Sequence, residues 1–321
     1  MRRWIEKITK IPLSLQRIVK ENIVKKKNYF FFHNNRTKVK NWFSNYLIYS
    51  SLFLDLFEIL IRKLKLTYLF FRWSSKTIFH DGVVLFNPVV SRDRGIANRR
   101  CEIYLNDYQK LFNDTISLSP DDIVIDIGAH IGSFSIPLVK KYNVQVLAYE
   151  PDLQNFYCIQ KGIKENRIFQ EKLIIERSVI WTTEGMVEFS QGATSSTGSV
   201  VKTKFFLQQR GSHSLMIPST TLSAIFKKQN IEKCKILKMD CEGSEHFIFE
   251  HLSADVIDKI EHIFLEVHPL PDHPSEVFIE RLGKHFELKY FRKEIKKGGL
   301  SSHIYEVFGR KIPVSARTAN R

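Results

Sequence analysis

Four residues around one glycine turn have the types and spacing of a nucleotide-binding site. The stretch DDIVIDIGAHIGSFS contains a run of β-branched residues that ends in Asp126, followed by Gly128 and Gly132. Glu150 ends the next apolar run, 22 residues after Gly128. Open α/β sheets bind ligands at the carboxyl ends of their strands, and a carboxylate such as Glu150 can accept two hydrogen bonds from a ribose diol. The spacing therefore predicts a site for an adenosine nucleotide.

The charge of the turn distinguishes between two such nucleotides. A dinucleotide site favours G-x-G-x-x-G, whose middle glycine admits the pyrophosphate, whereas His130 occupies that position here. A carboxylate at Asp126 would also repel a pyrophosphate. S-adenosylmethionine (SAM) carries an ammonium and a sulfonium, so an acid at this turn favours SAM. An NAD-dependent Rossmann oxidoreductase is the alternative interpretation of the same residues.

A second group of acids follows a later apolar strand. In LKMDCEGSEHFIFEHL, Asp240 ends the strand, Gly243 permits a tight turn, and Glu242 and Glu245 lie on either side of that glycine. Carboxylates this close should raise at least one pKa, or require a cation or a positive ligand nearby. For Glu245, a favourable position at a helix N-terminus is the alternative explanation.

These acids include candidates for a general base, which an alcohol acceptor needs when it loses its proton. The candidates are Asp240 first, then Glu242 and His268. His268 lies in FLEVHP with Glu266, at the end of the next strand, where both could converge on the same pocket. Imidazole is a natural base near neutral pH, although a structural role for His268 is the alternative. The acids could also hold Mg²⁺ or another divalent ion, but no spacing fixes a ligand count, and no metal site is predicted.

Taken together, these motifs resemble the FkbM family of SAM-dependent methyltransferases. The resemblance covers residues 105–308 and rests on VIDIGAHIGSFS, AYEPD, TTLSAIF before ILKMDCEGSE, and IFLEVHP. It implies a class I methyltransferase fold, SAM as methyl donor, and O-methylation of a hydroxyl on a small molecule or glycan. The chain departs from the family pattern at Ser223, where the family often has Asp, and in residues 1–73. Both departures concern the acceptor rather than the donor.

The resemblance also implies roles for individual residues. Asp240 resembles the family acid beside the methyl group, with Glu242 and Glu245 behind it. The positions that it implies for SAM contacts are Asp126, Gly128, Ala129, Gly132, Glu150 and, on the adenine side, Ser178.

The elements that position these residues alternate in type along the chain. Apolar runs alternate with amphipathic segments, which predicts an α/β, Rossmann-like fold with a mostly parallel sheet covered by helices on both faces. We expect this domain to span residues 74–309, with a core at 105–308 and a frayed tail at 310–321. The predicted strands are 122–126, 144–149, 172–180, 234–240, 260–268, 286–292 and 303–309. The predicted helices are 133–142, 153–166, 220–231, 243–252 and 274–285, with a hairpin at 77–90, a helix and turn within 102–122, and a hairpin or loop excursion at 190–214.

A basic extension precedes this domain. Residues 1–73 hold sixteen Lys or Arg and four Asp or Glu, a net charge of +12 out of +15 for the chain. Their apolar part is shorter than the roughly 20 residues of a membrane span. We expect an amphipathic helix that packs onto the catalytic domain, self-associates or lies on an anionic membrane surface. Its polar residues repeat at steps of three and four: Ser51, Asp55, Glu58, Arg62 and Lys65.

Charge and cysteine content restrict the remaining functions. The other residues carry a net charge of only +3, which disfavours a nucleic-acid acceptor because phosphate contacts need a basic stripe around the site. RNA methylation stays an alternative, since Lys and aromatic residues interleave in the extension. A third interpretation is a non-catalytic SAM-fold protein that binds a membrane or a partner. Four cysteines without a C-x-x-C pair, and no evident signal peptide, favour a cytoplasmic protein.

Overall fold

The computed structural model describes residues 74–79, 81–88, 101–191, 198–201, 213–297, 300–313 and 315. The chain divides into two units between Phe70 and Phe71, and the second unit is described by itself. The amphipathic helix predicted for residues 1–73, with its membrane and self-association alternatives, lies outside the described residues. No helix in the described ranges is long and apolar enough to cross a membrane.

The described elements alternate between strands and helices, as the hydrophobic pattern predicts. The strands are β1 (Ser74–Ile78), β2 (Val84–Pro88), β3 (Ile123–Ile127), β4 (Gln145–Tyr149), β5 (Leu173–Glu176), β6 (Val179–Ile180), β7 (Gly185–Gln191), β8 (His213–Thr220), β9 (Cys234–Met239), β10 (Ile260–Val267), β11 (Phe286–Lys297) and β12 (Leu300–Lys311). The helices are α1 (Cys101–Phe112), α2 (Ser135–Tyr142), α3 (Leu153–Asn166), α4 (Leu222–Lys228), α5 (Ser244–Glu250), α6 (Ala254–Asp258) and α7 (Ser275–Gly283).

Seven strands form the central sheet, in the order β11-β12-β10-β9-β3-β4-β5. Strands β5, β4, β3, β9 and β10 are parallel, whereas β12 is antiparallel to both β10 and β11. Strand β3 has β4 on one side and β9 on the other, so the strand order reverses there. Ligands of open α/β sheets bind at such a reversal. The predicted Rossmann-like, mostly parallel sheet is confirmed.

Helices cover both faces of the sheet because alternate strand residues face opposite sides. Ile125 and Leu237 pack in one core with residues of α4, α5, α6 and α7. Their neighbours Val124 and Ile236 pack in a second core with residues of α1, α2 and α3. Parallel strands buried on both faces are typical of this architecture. The three layers leave the carboxyl ends of the parallel strands together at one edge.

The predicted strand at 172–180 is wrong as a single strand. Strand β5 pairs with β4 in the central sheet, whereas β6 pairs with β8 in a three-stranded sheet of order β6-β8-β7. Between them, the Arg177 Nε donates a hydrogen bond to the Pro151 carbonyl over 3.2 Å. The chain thus leaves the central sheet at Arg177 and Ser178. Strands β7 and β8 are antiparallel, and most of the predicted excursion lies between them in the sequence.

The last strand ends beyond the predicted boundary of the domain. Strand β12 extends to Lys311, and the Lys311 Nζ donates a hydrogen bond to the Ile257 carbonyl at 2.5 Å. The first two residues of the predicted tail therefore belong to the sheet.

Candidate active site at the carboxyl edge of the sheet

A cavity of about 250 Å³ lies at the carboxyl ends of the central strands. Its wall comes from the turn after β3, the segment after β4, the β5–β6 break, the turn after β9 and the end of β10. Nine residues are predicted from sequence as catalytic or cofactor-binding, and six of them line it: Gly128, Ala129, Glu150, Ser178, Asp240 and Glu242. The other three, Asp126, Gly132 and His268, are not among its lining residues.

The glycine turn packs directly against the end of β9. Gly128 has a φ of 74°, and a Cβ built on it would lie 2.0 Å from the Asp240 carbonyl oxygen. Its amide donates a hydrogen bond to the Tyr149 carbonyl over 3.0 Å. Only glycine fits this close approach and left-handed conformation without strain. Gly128 thus brings three strand ends together at the cavity.

Gly132 serves helix packing instead. Its φ is 79°, and an added Cβ would lie 2.9 Å from Cδ1 of Ile136, on α2. Of the two uses that sequence predicts for this glycine, the structure shows close approach to the following helix rather than a contact with the cavity.

Glu150 is buried in the cavity wall and bound by backbone amides. The amide of His130 donates to its Oε2 at 2.7 Å, and the amide of Asp152 donates to its Oε1 at 2.9 Å. The Asn155 side chain also donates to Oε1, at 3.3 Å. Burial, followed by repulsion from Asp152, raises the pKa of Glu150 to about 8. Oε1 has two donors and Oε2 has one, so Oε2 retains a lone pair and can still accept a hydrogen bond from a ribose hydroxyl.

Ser178 lies at a more apolar part of the cavity. Its hydroxyl is buried and makes no hydrogen bond to another residue within the described ranges. Buried polar groups are ordinarily hydrogen-bonded, so this hydroxyl points to a ligand or a water molecule. The apolar residues that line the cavity include Val179, Ile180, Phe189 and Val200.

Asp126 is neutralised by the protein and does not face the cavity. It lies opposite Lys238 in the β3–β9 register, and the Lys238 Nζ is 3.1 Å from its Oδ1. The Ser135 hydroxyl donates to its Oδ2 over 2.6 Å. The prediction that this carboxylate faces a positive ligand is therefore wrong for this structure. A buried carboxylate must be paired, and the strand register supplies a lysine.

Lys238 also fixes the glycine turn. Its Nζ donates a hydrogen bond to the Gly128 carbonyl over 2.6 Å. Burial alone would lower the pKa of Lys238, but the Asp126 and Asp240 carboxylates raise it above its ordinary value. Sequence reasoning missed this role. The signal was present as a lone charge inside the apolar strand ILKMD, but its partner lies 112 positions away in the sequence.

The acids around β9 and β10 converge at the opposite part of the wall. Asp240, Glu242 and Glu266 all line the cavity. Ligand atoms of Asp240, Glu266 and His268 lie within 4.8 Å of one another, as their positions at adjacent strand ends predict. The pKa of Glu242 is raised to about 7: burial is the largest cause, His268 acts to lower it, and Asp240, Glu245 and Glu266 act to raise it.

Glu245 lies behind this wall and is completely buried. Its Oε1 accepts a hydrogen bond from the His268 amide at 2.6 Å and lies 3.0 Å from Nδ1 of the same residue. Its Oε2 accepts from the Gly243 amide at 2.9 Å. Burial alone would raise the pKa of Glu245, but His268 outweighs burial and lowers it. These contacts give Glu245 a specific partner beyond the helix dipole.

His268 lies among three carboxylates, those of Glu242, Glu245 and Glu266. Burial alone would lower its pKa, but Glu242 and Glu245 raise the pKa well above its ordinary value. Its ring therefore favours the protonated form, which has no lone pair to accept a proton. A general-base role for His268 stays a prediction, which these neighbouring carboxylates disfavour.

The protonation state of His268 also affects whether a metal ion could bind here. Distances alone would allow a divalent ion among the three groups that converge there. The carboxylates around His268 favour its protonated form, and its Nε2 lies 3.6 Å from Glu242 and 3.7 Å from Glu266. A divalent ion would have to displace that proton. We therefore retain the prediction of a metal-free site.

Comparison with known proteins gives one family. The model of the methyltransferase FkbM domain matches residues 126–292, about half of the chain. No curated protein matches the sequence. A solved FkbM methyltransferase from Methylobacillus flagellatus KT is 15% identical, with a TM-score of 0.37, over 59% of this chain and 44% of that one. TYW2 of M. jannaschii, solved with AdoMet, is 14% identical with a TM-score of 0.37, over 74% of this chain and 87% of that one.

The family match and the fold agree with the site. The matched residues include the glycine turn, Glu150 and both groups of acids. The chain is a methyltransferase with SAM as its cofactor, and the cavity at the sheet edge has groups that fit this cofactor in Glu150 and Ser178. The protein belongs to the FkbM family of methyltransferases.

Proposed function

We propose that the protein methylates a hydroxyl group of an uncharged small molecule or glycan. The observation that carries this proposal is the group of carboxylates on one part of the cavity wall, Asp240, Glu242 and Glu266. Among the described lining residues, the one lysine or arginine is Lys238, and it is paired with Asp126. Carboxylates repel the phosphates of a nucleic acid. A neutral acceptor therefore fits this wall better than RNA.

The other part of the wall is the proposed binding site for SAM. The Glu150 Oε2 would accept a hydrogen bond from a ribose hydroxyl, and the Ser178 hydroxyl would bond to the adenine directly or through a water molecule. Ala129 and Gly128 would form the backbone surface beside the cofactor. SAM supplies a methyl group on a positively charged sulfur, which is already a good leaving group. The protein must then align the acceptor oxygen, which provides much of the rate, and remove its proton.

Glu242 is the proposed general base. It lines the cavity, and its pKa of about 7 lies close to the pH at which it must accept a proton, where a base is most effective. Asp240, which is two residues away on the same wall, is the second candidate. The Glu242 carbonyl accepts a hydrogen bond from the Ser199 hydroxyl over 2.9 Å, so its backbone is held from the side of residues 198–201.

Cofactor binding should release a proton from Glu150. In the free protein its pKa is about 8, so the carboxyl is mostly protonated at pH 7. A ribose hydroxyl donates to the ionised form and should lower this pKa on binding. We expect the affinity for S-adenosylhomocysteine (SAH) to fall up to about tenfold per pH unit below pH 8. Calorimetry in two buffers of different ionisation enthalpy measures the proton count.

Two variants and one ligand serve as controls for this titration. Glu150→Gln should bind SAH more weakly and without proton release, because an amide does not titrate. Asp114→Asn, a change at an exposed acid that pairs with Arg310, should behave like wild type. NAD should not bind. If SAH fails to bind the wild-type protein under these conditions, the proposed cofactor site is wrong.

Loss of the general base should reduce turnover without loss of cofactor. We expect Glu242→Gln to reduce methyl transfer by about 10²- to 10⁴-fold, and Asp240→Asn to reduce it less. The assay uses SAM labelled in the methyl group and a panel of neutral glycans and alcohols, with RNA as the polyanionic comparison. SAH calorimetry on each variant separates a catalytic defect from a binding defect. Near wild-type turnover in Glu242→Gln would eliminate this residue as the base, and methylation of RNA alone would contradict the neutral acceptor.

A further inference from the structure

His268 lies between carboxylates on both sides of its ring. On one side, its Nδ1 is 3.0 Å from the completely buried Glu245. On the other side, its Nε2 is 3.6 Å from Glu242 and 3.7 Å from Glu266. The two carboxylates on the Nε2 side line the cavity, whereas Glu245 does not. Asp240, Glu242 and Glu266 form the part of the cavity wall that we call the acceptor wall. The imidazole thus connects a buried anion to the acceptor wall.

We propose that His268 is a positioning residue: held as a cation by Glu245, it keeps Glu242 and Glu266 together at the acceptor wall of the cavity. This inference rests on the proposed function, because it concerns the wall to which the general base belongs. It assigns no proton transfer to His268 itself.

The geometry explains why a cation is needed here. The carboxylates of Glu242, Glu245 and Glu266 lie near one another and are at least partly removed from water, so they repel strongly. Without a counter-charge they would bind protons or move apart. Glu245 is fixed independently of His268, because its Oε2 accepts from the Gly243 amide at 2.9 Å. The His268 amide also donates to Glu245 at 2.6 Å. The ring therefore has a fixed anion behind it and two cavity-wall carboxylates in front.

Other groups around the ring act in both directions. The Nε2 of His246, on α5, lies 2.8 Å from the His268 carbonyl, and His268 and His246 disfavour each other's protonation. The anions outnumber this single imidazole. The charged and titratable groups that face His268 are Glu242 and Asp240 from the β9–α5 segment, Glu245 and His246 from α5, and Glu266 from β10.

The first test needs neither SAM nor an acceptor. Full-length protein labelled with ¹⁵N-histidine is titrated by NMR, and the two ring nitrogens report the protonation state directly. We expect the His268 ring to titrate well above the ordinary range of histidine. His262, on β10, should titrate far below it, because burial lowers the pKa of His262 to about 4. A His268 ring that is neutral at pH 7 would overturn the proposal.

The second test measures the effect of the cation on the base. Glutamate side chains labelled at the carboxyl carbon are titrated by NMR, and the Glu242 signal is identified by its loss in Glu242→Gln. His268→Gln retains a hydrogen-bonding group but removes the charge. We expect the titration midpoint of Glu242 to rise from about 7 by about one pH unit or more. A merely structural role for His268 would leave this midpoint unchanged, and that result would also overturn the proposal.

A matched variant controls for the loss of a buried imidazole. His262 lies on β10 and packs edge-to-face against Tyr108, with ring centroids 4.9 Å apart. His262→Gln should leave the Glu242 midpoint unchanged, since His262 does not line the cavity. A midpoint that rises equally in both variants would overturn the specific role of His268.

SAH binding separates this inference from the proposed function. His268→Gln should retain SAH affinity, because the ring does not belong to the Glu150 and Ser178 part of the wall. If wild-type protein fails to bind SAH while the NMR result stands, the proposed function is wrong and the charge arrangement is correct. If SAH binds and the Glu242 midpoint does not move, only the role of His268 is wrong.

Discussion

Replacing Gly128 by alanine is expected to abolish cofactor binding and to destabilise the protein. The new Cβ would lie 2.0 Å from the Asp240 carbonyl oxygen. No side-chain rotation can relieve this clash, because the backbone fixes the positions of both atoms. The left-handed φ of 74° adds about 1–2 kcal/mol for a non-glycine residue. We expect a loss of about 3 kcal/mol or more in the free energy of unfolding and a fall of about 100-fold or more in SAH affinity.

Two glycines provide controls for the Gly128 variant. Gly185 has a φ of 134° and nothing within 4 Å of an added Cβ, so Gly185→Ala measures backbone strain without a clash. Gly283 has only an ordinary contact at 3.8 Å with Leu288, so Gly283→Ala measures the methyl group itself. Neither should alter SAH affinity measured by calorimetry. A Gly128→Ala protein that binds SAH as the wild type does would show that the turn does not form the cofactor site.

Replacing Lys238 by methionine is expected to have the second largest effect, because it leaves Asp126 buried without its counter-charge. Asp126 is fully inaccessible to solvent, and its pairing distance to Lys238 is 3.1 Å. Removing one partner of such a buried pair costs about 3–5 kcal/mol. For a domain of this size the melting temperature should fall by roughly 10 °C. SAH affinity should also fall, because the Gly128 carbonyl loses its donor at 2.6 Å.

Lys235 provides the matched control on the same strand. It pairs with Glu261 at 2.8 Å, but both side chains are partly exposed, so Lys235→Met should cost less than about 1 kcal/mol. The double variant Asp126→Asn with Lys238→Met should recover part of the stability, since it leaves no buried charge. Thermal unfolding of the four proteins measures these differences. Equal losses in the two lysine variants would contradict the importance of the buried pair.

The unequal success of sequence reasoning at the two groups of acids has a physical cause. Glu150 and Asp240 each end a strand, and parallel strands place their carboxyl ends at one edge, so both could be assigned to the cavity from spacing alone. Asp126 also belongs to a strand end, but period-two alternation turns it to the same face as Val124. Whether a lysine lies opposite Asp126 on that face depends on the register between β3 and β9.

His268 shows the same limit in its protonation state. Its residue type suggests a base near neutral pH, and its position after β10 correctly predicts that it joins the acids. Its charge depends on Glu245, which reaches it from α5 at 3.0 Å. The pKa of a buried group is set by the neighbours that the fold provides, and the local sequence FLEVHP names only one of them.

The sequence by itself determined the family, the alternation of strands and helices, the glycine turn and the two sets of strand-end acids. These properties depend on local spacing and on the periodicity of apolar residues, which a chain carries before it folds. Only the tertiary structure decided that Asp126 pairs with Lys238, that residues 172–180 divide between two sheets, and that His268 lies among three carboxylates. Each of these depends on contacts between segments far apart in the chain, whose register and burial are fixed only when the whole sheet forms.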